Sequence, residues 1–123
     1  MQVYSVLLAD DDKSVRAIAE MVLSTEFDVY LAESGADCLI AAECERPDII
    51  LLDDNMPGMD GREALTKLRK NPLTAAIPVI LMSADVQTDE TKYYRMIGTI
   101  GLVLKPFDPF RLGSQIRKLA APY

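Results

Sequence analysis

Four runs of aliphatic residues, Val3–Ala9, Ile49–Leu52, Val79–Met82 and Ile100–Leu104, lack strict apolar–polar alternation. Successive side chains of a strand point to opposite faces, so a strand wetted on one face alternates and a strand covered on both does not. These runs predict parallel strands buried in a sheet. A fifth, Asp28–Ala32, alternates more and suits a sheet edge. Helix-sized intervals separate them. Val15, Ile18, Ala19, Val22 and Leu23 recur at helical spacing, and so do Leu112, Ile116, Leu119 and Ala120. Ser34 is expected to cap the second helix, and Asp60 with Glu63 to form a capping box for the third. Asp108 followed by Pro109 predicts an N-cap with proline at the first helical position. The interval "TDETKYYRMIG" carries the poorest amphipathic pattern of the five.

Five strands alternating with five helices imply an α/β fold, because right-handed crossovers lay helices on both faces of a parallel sheet. The 123 residues suit a single domain spanning 1–123. At that length the expected form is flavodoxin-like, a doubly wound (βα)5 fold with a five-stranded parallel sheet in the order 2-1-3-4-5. The first and third strands are then neighbours at the switch point, where ligands bind at the carboxyl ends.

Composition narrows the function. Thirteen basic and 19 acidic residues leave a net charge of −6, with no Lys/Arg cluster to bind nucleic acid directly. No apolar run approaches a bilayer span, and "MQVYSVLLADDD" lacks the pattern of a secretory signal, so a cytoplasmic protein is expected. Cys38 and Cys44 fall in one expected helix; six residues at ~1.5 Å rise separate them by ~9 Å, too far for a disulfide. They read as free thiols, core or half-buried. With no histidine, histidine catalysis and common zinc sites are excluded.

The polar residues then fall in one place. The first strand ends in Asp10 and Asp11, the third in Asp53 and Asp54, the fourth in Ser83 and the fifth in Lys105. A lone aspartate after a strand is usually a cap, as Asp12 is expected to be. Converging carboxylates are different: they repel, and a hard divalent cation such as Mg²⁺ relieves that repulsion. A carboxylate beside Mg²⁺, an ammonium and a hydroxyl suit a transferring phosphoryl group.

At "ADDD" (9–12), "LLDDNMPGMDG" (51–61), "SAD" (83–85) and "KPF" (105–107) the chain resembles the receiver domain of two-component response regulators, of the chemotaxis-regulator kind. The resemblance covers essentially the whole chain. It implies that Asp53 accepts a phosphoryl group from a histidine kinase or histidine phosphotransfer protein. Asp11 and Asp53 would bind Mg²⁺ directly, Asn55 through its backbone carbonyl, and Asp10 through metal-bound water. Lys105 would pair with a phosphate oxygen, and Ser83 would swing to donate to it. Ala84 would give access to the phosphate, and Asn55 and Asp85 would tune dephosphorylation. Lys105–Pro106 would be cis. Leu102 stands where the family usually carries a switch aromatic, so the usual aromatic swing cannot operate; Tyr93, Tyr94 or Phe110 are the aromatic alternatives. Output would pass by contact with a downstream protein or an attached domain, through the last two strand–helix units, from a monomer or weak dimer. The chain fits either a stand-alone regulator or one domain of a larger regulator or hybrid kinase.

Three other readings meet the same residues. "DDDKS" contains the Asp-x-Asp of haloacid dehalogenase-type phosphatases, but Lys105 follows Asp53 and Asp54 where that class has its lysine earlier, and a cap has no room. "DDDKSV" imitates a calcium loop but has Val15 and Met21 where Gly and Glu are required. A receiver-shaped interaction module not regulated by phosphorylation is the remaining alternative.

Overall fold

The structure is a computed structural model, and it describes residues 1–84 and 98–123. Five strands are present: β1 (Ser5–Ala9), β2 (Asp28–Ala32), β3 (Ile49–Asp53), β4 (Val79–Ser83) and β5 (Thr99–Leu104). Four helices accompany them among the described residues: α1 (Lys13–Leu23), α2 (Gly35–Glu45), α3 (Gly61–Lys70) and α4 (Leu112–Ala120). The interval expected to form a further helix between β4 and β5 lies outside the described residues, apart from its closing Gly98.

The sheet is parallel throughout, in the order β2-β1-β3-β4-β5, as the flavodoxin-like expectation requires. Both faces are covered, which explains the missing alternation. Val6 and Leu8 of β1 pack with Ala19 and Leu23 of α1 and with Leu112, Ile116 and Ala120 of α4. Leu7 and Ala9 point the other way, against Cys38 and Ala42 of α2 and Ala64, Leu65 and Leu68 of α3. Ile49 to Leu52 are wholly buried, so β3 is the spine of both cores. Each fully buried Leu or Ile there stabilises the fold by ~1.5–3 kcal/mol. β5 shifts register beside β4, with Val79 opposite Thr99 but Ile80 opposite Gly101.

The helix starts follow from local chemistry. Asp12 accepts the Ser14 and Val15 N–H groups, Ser34 accepts that of Asp37, and Asp60 accepts that of Glu63. The fourth start departs from expectation. Asp108 does not cap α4: its carboxylate accepts the Phe110 N–H at 2.9 Å and its carbonyl the Arg111 N–H at 3.0 Å. These bonds close a turn around Pro109, and the helix begins only at Leu112. Both cysteines lie in α2 as free thiols, Cys38 buried and Cys44 exposed instead of half-buried. Burial pushes the Cys38 thiol up to about 12, so it is inert packing.

One approach matters for the site. A Cβ at Gly61 would lie 2.5 Å from the Asp53 carbonyl oxygen and 2.9 Å from the Asp54 Cα. Only glycine lets α3 start this close to the end of β3.

Candidate functional site

A cavity of about 540 Å³ opens at the carboxyl edge of the sheet, lined by Asp10, Asp11, Asp12, Asp53, Asp54, Asn55, Asp60, Ser83, Ala84 and Lys105. It lies where β1 and β3 run side by side and their following connections part to opposite faces. Among the described residues six carboxylates and one ammonium line it, so charge balance is its governing problem.

Asp10, Asp11 and Asp53 each offer a carboxylate oxygen, and the three oxygens lie within 4.8 Å of one another. Asp10 is wholly buried and Asp53 is 4% exposed, whereas Asp11 is open to solvent. Lys105 bridges the two buried acids, its Nζ donating to Asp10 Oδ2 at 2.6 Å and standing 3.2 Å from Asp53 Oδ1. Asp10 Oδ1 accepts the Asp12 N–H at 2.9 Å, and Arg16 Nη1 donates to the Asp10 carbonyl at 2.9 Å. Asp53 Oδ1 also accepts the Asn55 N–H at 3.4 Å.

The electrostatics follow from this packing. Burial, and then the charge of Asp10, push the Asp53 carboxyl up to about 6, against the opposing charge and hydrogen bond of Lys105. Burial works against the Lys105 ammonium, but the hydrogen bond to Asp10 and the charges of Asp53 and Asp10 outweigh it and hold its pKa above the ordinary lysine value.

A magnesium ion fits the donor set. All the donors are oxygens, and the three lie within 4.8 Å of one another, near enough for small side-chain adjustments to bring them to the ~2.1 Å at which oxygens bind Mg²⁺. Both Asp10 oxygens are already hydrogen-bonded, one to Lys105 and one to the Asp12 N–H. Asp11 and Asp53 are therefore the better direct ligands.

The structure gathers Asp10, Asp11, Asp53, Asn55, Ser83, Ala84 and Lys105 around this cavity. Lys105–Pro106 is cis. Leu102 is half-buried and packs toward the α2–α3 side of the sheet, away from the cavity lining. Asp85, Tyr93 and Tyr94 lie outside the described residues, and Phe110 is almost fully exposed. Two contacts had no clear warning in the sequence. Arg16 holds the Asp10 backbone from one turn into α1, a reach that only the fold reveals. Ser83 Oγ donates to Asp54 Oδ2 at 2.9 Å, so the second acid of the β3 pair is engaged with β4.

A doubly wound sheet with an acidic, lysine-bridged cavity at its carboxyl edge is the architecture of the receiver class of domains. Residues 6–117 match the response regulator receiver domain, and the chain belongs to that family, the receiver of two-component systems. The chain is 39% identical to the "Probable transcriptional regulator ycf29" of Pyropia yezoensis, over 96% of this chain and 54% of that protein. It is 35% identical to the "Response regulator PleD" of Caulobacter vibrioides, over 93% of this chain and 25% of that one. It thus spans about half, or less, of these relatives. Among solved structures, the chemotaxis protein CheY4 of Vibrio cholerae superposes with a TM-score of 0.88 at 26% identity, covering 96% of this chain and 99% of that one. Among the described residues, no helix is long and apolar enough to cross a membrane.

Proposed function

We propose that this chain works as one receiver domain that accepts a phosphoryl group on Asp53 from a phosphohistidine of a partner kinase or phosphotransfer protein. The observation that carries this reading is the Lys105 bridge, which holds Asp53 beside a second buried carboxylate and keeps one cation at hand for incoming negative charge.

The residues divide the work. Asp53 Oδ1 is held by Lys105 and the Asn55 N–H, and one carboxylate oxygen of Asp53 is the attacking atom. It forms the new P–O bond as the donor's P–N bond breaks, and the imidazole leaves with the bonding pair. Lys105 turns from Asp10 toward a phosphoryl oxygen and offsets its charge. Mg²⁺, held by Asp11, Asp53 and the Asn55 carbonyl with Asp10 acting through water, supplies further charge neutralisation when bound. Ser83 donates its hydroxyl to the phosphoryl group, and the small Ala84 leaves room for it. Asn55 and Asp85 set how readily water reaches the acyl phosphate. The domain turns over no outside substrate.

Output is a protein–protein contact made from the β5–α4 end, to a separate protein or to an attached domain. The relatives support an attached domain, since each continues beyond the stretch matched here. A relative named "DNA-binding response regulator MtrA" from Mycolicibacterium smegmatis shares 32% identity over 91% of this chain but only 48% of its own length. This chain, at net charge −6, would leave DNA contact to another segment. The test is intact mass after acetyl phosphate and Mg²⁺. One phosphoryl adduct is expected, and none should form when Mg²⁺ is chelated beforehand or in Asp53→Asn; an adduct that survives Asp53→Asn sinks the assignment.

A further inference from the structure

Ser83 and Asp54 both line the cavity, at the ends of the neighbouring strands β4 and β3. Ser83 is 3% exposed, and its hydroxyl donates to Asp54 Oδ2 at 2.9 Å. Both backbones are pinned. The Asp54 N–H donates to the Met82 carbonyl at 2.9 Å, and the Asp54 carbonyl accepts the Gly61 N–H at 3.1 Å. The Ser83 carbonyl accepts the Lys105 N–H at 2.9 Å. Breaking the side-chain contact therefore needs rotation of a side chain and no movement of a strand.

A serine hydroxyl carries one proton and donates along one direction at a time. While that proton is given to Asp54 it is not available to an oxygen on Asp53. The bond is charge-assisted, and such bonds are roughly twice as strong as neutral ones. We infer that Asp54 is a positioning residue that latches the Ser83 hydroxyl in the resting domain, so that a phosphoryl group on Asp53 must win the hydroxyl from a competing carboxylate before the switch closes. This rests on the phosphoacceptor reading of Asp53. It goes beyond that reading, because it assigns the second acid of the β3 pair the task of opposing closure. The latch sets how much of the phosphoryl group's binding energy goes into turning the Ser83 side chain.

The experiment is a double-mutant cycle on the dissociation constant of beryllofluoride with Mg²⁺, a phosphoryl mimic, followed by calorimetry on the full chain. Asp54→Ala removes this competing acceptor, and binding is expected to tighten about tenfold, the scale of one hydrogen bond to a charged group. It also removes a charge that repels the anion, so the same change is made in Ser83→Ala. There the latch is absent and the effect of the charge is expected to be about twofold at a solvent-open site. The difference between the backgrounds is the latch. Asp54→Asn keeps an acceptor oxygen without the charge and should fall between wild type and Asp54→Ala; it also serves if Asp54→Ala folds poorly. Equal tightening in both backgrounds, or none in either, overturns the latch while leaving the phosphoacceptor reading in place. Wild-type protein that fails to bind the mimic in an Asp53-dependent way overturns that reading, and the latch with it.

Discussion

Asp53 occupies a poor place for a negative charge: buried at the end of β3, within reach of Asp10, with a shared lysine as compensation. Its carboxyl is raised from 3.8 to about 6 by burial first and Asp10 second. An acid whose folded pKa lies above its unfolded one favours the fold while protonated. Its contribution is whole below about 3.8 and is lost as pH rises through about 6. At neutral pH without metal, Asp53→Asn should therefore be more stable than wild type. A shift of this size would correspond to ~3 kcal/mol, but water in the cavity screens the charges, and ~1–2 kcal/mol is expected. The gain should shrink as pH falls from 6 toward 4. Urea melts of both proteins across that range decide it; a gain independent of pH assigns the effect to packing instead. The acids, Ser83 and Lys105 were legible because each ends an apolar run. Which acid partners which cation or hydroxyl was not, since that depends on rotamers and on Arg16 and Asp54 reaching across elements.

At the scale of elements, the strands were readable because hydrophobic burial on both faces leaves a plain mark, and their expected limits moved by one or two residues at most. Turns carry a weaker mark. "DPF" looks like a helix start, yet Asp108 satisfies the Phe110 N–H inside a turn, and α4 begins without a side-chain cap. A proline fixes φ at a turn position as well as at a first helical one. Gly61 shows the converse, a constraint carried by one residue. Its missing Cβ lets α3 close onto Asp53 and Asp54, and the backbone oxygen 2.5 Å away cannot rotate aside. Gly61→Ala should cost ~1–3 kcal/mol, the usual price of overpacking. It should also weaken Mg²⁺ binding, because the end of β3 must shift. Denaturation and a metal titration of the same variant check both. Loss of stability with unchanged metal affinity separates the helix packing from the site.

For the molecule as a whole, the sheet order brings together residues 95 apart in the chain, Asp10 and Lys105, and makes one cavity the place where several strands end. Anything that neutralises this cavity stabilises the entire fold by mass action. Mg²⁺ at about a hundred times its dissociation constant should add ~2.7 kcal/mol. The Tm should rise with Mg²⁺, fall back on chelation, and rise far less in Asp11→Asn; equal rises in both proteins would locate the ion elsewhere. Charge neutralisation alone is not signalling, however. A phosphoryl group at the cavity acts at a distance only if it favours one of two arrangements of the chain by a few kcal/mol. β5 is the element placed to carry that change. Ser83 on β4 pairs with Leu104, its carbonyl accepts the Lys105 N–H, and Leu102 lies two residues before Leu104. Beryllofluoride with Mg²⁺ should therefore shift amide resonances along Thr99–Leu104 and into α4, as well as around the acids. With a leucine at position 102 those shifts arise from aliphatic repacking against Leu81 and its neighbours, so methyl resonances of Leu102 should move with them. Shifts confined to the cavity lining would leave the phosphoryl chemistry intact and remove β5 as the route by which it is read.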